Sequence, residues 1–478
     1  YNTAVGYAAG AAVTTGIDNT LIGGLAGDVL TDADYNVALG ARALSSDTLG
    51  STSVAIGRSA LESQNFTTAT NSFNTAVGYV AGVAVTTGTQ NTLIGGIAGD
   101  AITDADGNVA VGYASLTDNV LGSNSVAIGR NALNAQNPAT ATDMYNVAVG
   151  NNCGEAITTA VNNTLIGGLV GDALTTGFAN VAVGGGATYA ALGSDTKGKF
   201  STAIGFGALR AQNFTTETAT NNTAVGYFAG GTVSTGLQNT YIGSLAGDDC
   251  DDGNNNTAVG YLALSANAGS HNTAIGQSSI AVCTGANNTS LGSGAGASLT
   301  SGSNNTFIGL NAGVTGSPGG NITTGSNTIG LGNVSIASLS CQVSLTATSD
   351  MRDKTDFKDL DLGLAFVKEL KPVTYVWDKR ADYGDVTAED FDLNSITPDG
   401  THKDDDLQVG FKAQEVIALE DAAGYKLSDK TNLTATITAD GKQYGLMYER
   451  FIPILVKSIQ ELSAKNDALE ARIATLEG

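Results

Sequence analysis

The hexapeptide Ser349-Asp-Met-Arg-Asp-Lys354 gathers a hydroxyl, an amine, a guanidinium and two carboxylates within six residues. A serine hydroxyl is a poor nucleophile at neutral pH until a base takes its proton. A lysine serves as that base when burial or neighbouring positive charge favours its neutral form. Ser349 and Lys354 are therefore the candidate catalytic pair, with Arg352 as the charge beside the lysine. The segment lies at a seam. Before it runs a stretch dominated by repeats of Asn-Thr-Ala-Val-Gly; after it comes a charged, non-repetitive stretch closed by a heptad helix. A serine and a lysine at such a junction point to a chain that cuts itself there.

Length and charge define the setting. The chain has 478 residues, too many for one compact core. With 63 Gly against only 5 Pro, and the Gly regularly spaced, neither collagen nor disorder fits. A formal charge of −23 argues against nucleic acid and anionic membranes as partners. Residues 1–340 carry 6 of the 22 Lys/Arg and 19 of the 45 Asp/Glu, so the charge shift marks a domain boundary near 341–349. Four separated cysteines (Cys153, Cys250, Cys283 and Cys341) form no CxxC pair and read as small buried residues, and no metal site or cofactor is expected. There is no apolar run long enough to span a membrane and no secretory signal. Tyr1 falls inside a repeat motif, so the chain reads as the C-terminal part of something longer.

The elements that must present the junction begin with the repeat. The motif (Asn/Ser)-(Thr/Val)-Ala-(Val/Ile)-Gly closes at Gly6, Gly23, Gly40 and Gly57 in steps of 17, then steps 21 to Gly78. It continues to Gly330, giving 19 rungs, and a longer period is visible from Asn2-Thr-Ala-Val-Gly6 to Asn74-Thr-Ala-Val-Gly78. Within each motif the branched residues share one face of a short strand and the Ala takes the other. Leu21, Leu93, Leu165, Tyr241 and Phe307 interrupt the small face. The Ala that recurs three residues after the Gly (Ala9, Ala26, Ala60) reads as a second, tightly packed strand. Stacked coils rising about 4.8 Å each make a rod of roughly 90 Å. One thin stack cannot bury two faces, so sister chains are expected to seal the small-residue side.

Ser53-Val-Ala-Ile-Gly57 and Ser125-Val-Ala-Ile-Gly129 give this region a resemblance to the parallel β-roll heads of trimeric autotransporter adhesins. The resemblance implies a mostly β fold: a trimeric parallel β-roll or β-solenoid shaft over 1–332, followed by a connector over 333–348. The long steps carry similar insertions, including Glu62-Ser-Gln-Asn-Phe66 and Arg210-Ala-Gln-Asn-Phe214, whose Phe66 and Phe214 are candidate receptor contacts. The acidic run Asp248-Asp-Cys-Asp-Asp252 lacks the spacing of a calcium loop and reads as a solvated turn.

Beyond the junction, 359–371 predicts a short amphipathic helix stopped by Pro372, 373–377 a strand, roughly 380–406 a loop, and 409–416 a strand turning into a helix. The last segment, 452–478, is a heptad helix. Ile452, Ile459, Asn466 and Ile473 fall at a; Leu455, Leu462, Leu469 and Leu476 fall at d. Ile at a with Leu at d leans towards two strands, while a single Asn at a fixes register.

Ser349-Asp-Met-Arg-Asp-Lys354, Leu370-Lys-Pro-Val-Thr-Tyr375, Gly410-Phe-Lys-Ala-Gln-Glu-Val416 and the closing helix occur in an order that resembles the endosialidase-type intramolecular chaperone. That self-cleaving peptidase domain ends many bacteriophage tail fibres and tailspikes. The resemblance implies a small α+β domain over 349–451 that trimerises, aligns three chains and then cuts itself off between Ser349 and Asp350. It implies a homotrimeric virion tail protein, assembled in the host cytoplasm beside other virion tail proteins and binding a host glycan or protein receptor. Attack by Ser349 on its own carbonyl would form a strained four-membered ring, so activation of water and attack from another chain both stand. The alternative is a cell-surface trimeric adhesin without enzymatic activity, but the chain closes in a coiled coil where that class has a membrane barrel. A glycan hydrolase would need two opposed carboxylates in a groove, and the acids of the rod fall mainly in turns.

Overall fold

The structure, a computed structural model, describes residues 1–336, 338–342, 347–384 and 391–478. The polar stretch expected over 380–406 therefore lies partly outside the described residues. The chain divides into two compact units, one of Tyr1–Ser293 with Thr300–Asn304 and one of Gly294–Leu299 with Asn305–Gly478. No helix among the described residues is long and apolar enough to cross a membrane.

The first unit is a parallel β-solenoid. Each coil contributes one three-residue strand, from Thr3–Val5 to Thr289–Leu291, and successive strands pair in parallel without a register shift. Thr75 sits on Thr92 and Thr92 on Val109, so like positions stack from coil to coil. The motif glycine makes the stacking possible. Gly95 has φ +137°, and a Cβ built on it would lie 2.3 Å from the carbonyl oxygen of Gly112 in the next coil. Only glycine has both the backbone freedom and the absent side chain this position demands.

Two expectations are corrected here. First, the small face lies inside the coil. Ala38, Ala55, Ala76 and Ala110 are wholly buried, whereas the branched residues flanking them point outward and are only half-buried or exposed. Ile94, Ile128, Ile166, Ile204, Ile242 and Ile275 are all exposed along this outer face. The interior is too narrow for branched chains on every rung, so the alanines go in. Sister chains could therefore seal only the branched side. Second, the segment expected as a second strand is a stack of turns. Leu25 (φ +61°) and Gly27 (φ +52°) take left-handed conformations. Leu25 N donates to Tyr7 O of the preceding coil and Gly27 N to Ala43 O of the following one, at 2.8 and 2.9 Å. Coil-to-coil hydrogen bonding thus continues without strand geometry.

The motif asparagine carries a role that strand alternation did not reveal. Asn19, Asn36, Asn91 and Asn108 are buried and form a ladder along the interior. Asn108 N donates to Asn91 Oδ1 at 3.0 Å, and Asn91 Nδ2 donates to Ala105 O at 2.8 Å. Each amide satisfies backbone groups that would otherwise be orphaned inside the coil.

At the long steps the ladder residue is Ser, and the insertion supplies the missing amide. Gln64 Nε2 donates to Ser53 Oγ (2.9 Å) and Asp47 Oδ2 (2.6 Å), while its Oε1 accepts from Asn74 Nδ2 (2.9 Å). Asp47 Oδ1 accepts from the backbone of Gly50 and Phe66, at 3.0 and 3.2 Å. Gln212, Asp195 and Ser201 repeat the arrangement. Phe66 and Phe214 are consequently anchors of the insertions and not receptor contacts. They are 5% and 8% exposed, and a Cβ on Gly50 would lie 2.7 Å from Phe66 Cδ2.

Of the cysteines, Cys153, Cys250 and Cys283 are buried as expected, but Cys341 is exposed.

The second unit opens with two rungs, Thr306–Ile308 and Ile329–Leu331. Their register pairs Phe307 with Gly330, so the last rung closes at Gly332 and not at Gly330. Gly330 leaves room inside for the Phe307 ring, which a Cβ there would approach to 3.0 Å. Helices α1 (Leu364–Glu369), α2 (Ala413–Ala422) and α3 (Phe451–Glu477) then pack around Leu362, Phe366, Val416, Phe451 and Ile454. Two antiparallel pairs complete the unit: Val373–Tyr375 with Gln408–Gly410, and Ala435–Ile437 with Tyr444–Leu446. Helix α1 is shorter than 359–371 because it begins only at Leu364, after Gly363.

Candidate cleavage site and assembly elements

Ser349 and Lys354 are brought together by one short turn. Met351–Asp353 forms a 3₁₀ helix with Asp350 as its N-cap, and the Asp350 side chain accepts from Arg352 N at 2.9 Å. The turn swings Lys354 back on Ser349. Its Nζ lies 2.5 Å from Ser349 Oγ and 3.3 Å from the Ser349 carbonyl oxygen. One amine thus touches the candidate hydroxyl and the carbonyl of the Ser349–Asp350 peptide bond. Both side chains are exposed in the single chain.

Arg352 is placed differently from expectation. Its guanidinium grips the Asp350 carboxylate, Nη2 to Oδ2 at 2.6 Å and Nε to Oδ1 at 3.1 Å. This pairing, with the backbone bond, holds the Asp350 carboxyl below its usual range and raises the guanidinium above its own. Arg352 therefore fixes the residue after the peptide bond.

The site begins where a recognisable sequence begins. Residues 349–425 match the family model described as the chaperone of endosialidase. The chaperone match starts at Ser349 itself and ends at Tyr425, taking in the 3₁₀ turn, α1 and α2. No curated protein and no solved structure matched the chain. The hairpin Ala435–Leu446 and α3 lie beyond the match, but the hydrophobic core of the second unit includes Leu446, Phe451 and Ile454 from them.

Two carboxylates that motif reading passed over tie these parts together. Glu461 of α3 caps α1, its Oε2 accepting from Leu364 N at 2.8 Å, where a Cβ on Gly363 would lie 2.4 Å from Glu461 Oε1. Glu420 of α2 is buried and accepts from the Thr434 N and Oγ1, both at 2.6 Å. A lone Glu in a helix carries no sequence signal for such contacts.

Helix α3 has two working faces. Phe451, Ile454 and Ser458 are buried against the core of the second unit. The heptad residues Ile452, Leu455, Ile459, Leu462, Asn466, Leu469, Ile473 and Leu476 are all exposed, Ile459 at 67%. Hydrophobic seams of this length are stable in water when another helix covers them.

Proposed function

We propose that the protein is a trimeric tail fibre of a bacteriophage, whose C-terminal chaperone aligns three chains and then cuts between Ser349 and Asp350. The observation that carries the reading is Lys354 Nζ against both the hydroxyl and the carbonyl oxygen of Ser349, at the first residue of the chaperone match. Support for assembly comes from two separate surfaces: the exposed heptad seam of α3 and the branched outer face of the solenoid strands, whose third residue is Val, Ile or Leu. Repeated on coil after coil, that residue gives the first unit a continuous apolar row of the kind that marks an interaction surface. The chaperone likeness favours three chains, against the lean of the heptad towards two.

Hydrolysis needs a nucleophile at the Ser349 carbonyl carbon, a donor for its oxygen and a proton for the departing Asp350 nitrogen. Neutral Lys354 takes the proton of the attacking water. The ammonium so formed, in contact with both Ser349 oxygens, donates to the carbonyl oxygen and returns the proton through the Ser349 hydroxyl to the leaving nitrogen. Water serves as nucleophile without the four-membered ring; a hydroxyl from a neighbouring chain does so by way of an ester that water then opens. A lysine becomes a base when it is buried; the pair is open in a single chain, so cutting is read as following association. The fragment 350–478 then leaves, and the rod cannot retrace its assembly. Host attachment and contacts with other tail proteins follow from this reading.

Expression of the wild-type chain is expected to yield a fragment of residues 350–478 on denaturing gels, and Ser349→Ala to abolish it. A wild type that assembles fully yet stays uncut would remove the peptidase part of the proposal.

A further inference from the structure

One place on the rod breaks the repeat. The coil from Gly184 to Gly205 takes 21 residues, where its counterparts Gly40 to Gly57 and Gly112 to Gly129 take 17. The extra residues, 185–188, precede Tyr189, whose carbonyl accepts from Gly207 N at 3.0 Å as Ala41 O accepts from Ser59 N at 2.9 Å. Tyr189, Phe206 and Tyr227 therefore occupy one column on three successive coils. The same column holds Ala41, Arg58 and Tyr79 in the first repeat and Tyr113, Arg130 and Asn151 in the second.

The three rings form one cluster with Phe228. Tyr189 meets Phe206 at 5.9 Å between centroids and Phe228 at 5.2 Å; Phe206 and Tyr227 are near-parallel at 5.8 Å. The arrangement is built and not incidental. The insertion backbone lies on Phe206, where a Cβ on Gly186 would come within 2.5 Å of the ring. The Arg210 guanidinium lies over Tyr189 at 4.8 Å and Phe228 at 5.1 Å. Yet Tyr189 and Phe206 remain 38% exposed and Tyr227 53%. Beside the rings, Asp172, Thr188, Ser194 and Arg210 line a cavity of about 120 Å³. Arg210 Nε is buried there without a hydrogen-bond partner among the described residues.

We propose that this cluster is a glycan-binding site on the shaft that takes a neutral pyranose unit. Exposed ring faces suit the C–H face of a sugar, while Asp172 accepts from its hydroxyls and Arg210 donates to them. The half-buried Asp172 carboxylate at the site and a chain charge of −23 disfavour acidic sugars. The inference rests on the host-attachment reading and gives it a location.

The full chain, with Phe206→Ala, Tyr227→Leu, Arg210→Met and the same-column control Tyr113→Ala, is to be applied to a panel of immobilised neutral and sialylated oligosaccharides. Sedimentation mass and release of 350–478 are followed on the same samples. The expected result is binding of a neutral oligosaccharide, weakened at least tenfold in the three cluster variants and unchanged in Tyr113→Ala, with mass and cleavage as in wild type. No binding, binding only of sialylated probes, or equal loss in the control would overturn the site while leaving the trimer and the cut standing. Loss of assembled mass in both Phe206→Ala and Tyr227→Leu would also overturn it, by assigning the rings to contacts between chains.

Discussion

Leu93 occupies the space that Gly82 leaves empty: a Cβ on Gly82 would lie 2.6 Å from Leu93 Cδ1. Gly99, on the other side, stands in the same relation at 2.8 Å from Cδ2. The coils of Ala38 and Ala55 instead carry Leu44 and Leu61 at the turn position, while the coil of Ala76 has Gly82 there and is filled by Leu93 of the next coil. A large strand residue beside small turn residues alternates with the reverse, keeping interior volume nearly constant. The larger period of the repeat is this exchange.

The pair should therefore be energetically coupled. Leu93→Ala is expected to destabilise the rod by about 2–5 kcal/mol through the cavity it leaves. Gly82→Ala should cost about 1–3 kcal/mol by overpacking, added to the strain of a side chain at φ +57°. The second change should cost clearly less when made in the Leu93→Ala background, because the clashing methyl is gone. Chemical denaturation of the four chains measures the coupling; strict additivity would refute the exchange.

Burial raises the carboxyl pKa of Asp47 and Asp195 above the ordinary 3.8, despite hydrogen bonds from Gln64 and Gln212 that oppose the shift. A raised folded pKa means the folded chain holds these protons more tightly than the unfolded one. Their contribution is most favourable below the unfolded pKa and declines as pH rises through the folded value. The second repeat has Asn119 at this position, its Oδ1 still accepting from Gly122 N at 3.0 Å. Asp47→Asn and Asp195→Asn should accordingly raise the melting temperature at pH 7 by about 2 °C each, and by less towards pH 3. A loss of stability at pH 7 would count against this account.

Changing Asn91 to Asp replaces a donor with an acceptor facing Ala105 O, at present bonded at 2.8 Å. A buried carbonyl is then left facing a carboxylate, and a loss of at least about 2 kcal/mol is expected. Thermal melts of Asn91→Asp beside an exposed control, Thr68→Asp, check the ladder.

Ile459→Asp and Leu462→Asp alter only the exposed seam of α3, whereas Ile454, 2% exposed, belongs to the core of the second unit. The seam variants should lower the sedimentation mass from trimer to monomer and suppress release of 350–478, while the circular dichroism of α3 weakens only modestly. A cut, trimeric Ile459→Asp chain would show that the seam does not direct assembly.

At the cleavage site the two cations should separate. Lys354→Gln removes the group touching both oxygens of Ser349 and is expected to stop the cut, as Ser349→Ala does. Arg352→Ala frees only the Asp350 carboxylate, so about a tenfold slowing is expected from lost positioning. Fragment release timed on gels distinguishes them, and equal abolition by both would give Arg352 a larger part.

The repeat, its glycine, the heptad and the Ser349–Lys354 pairing could all be read along the chain, because each is a short-range regularity in which neighbours in sequence are neighbours in space. The direction in which the strand faces point could not. Alternation separates Ala38 from Val37 and Leu39 without saying which side the coil encloses, and that depends on how much volume the closed coil leaves. The same holds for Phe66, whose fate was set by Gly50 sixteen residues earlier, and for Glu461, which caps a helix 97 residues away. Contacts between distant residues follow from packing in three dimensions, and packing decides which apolar and charged groups remain free to meet a partner.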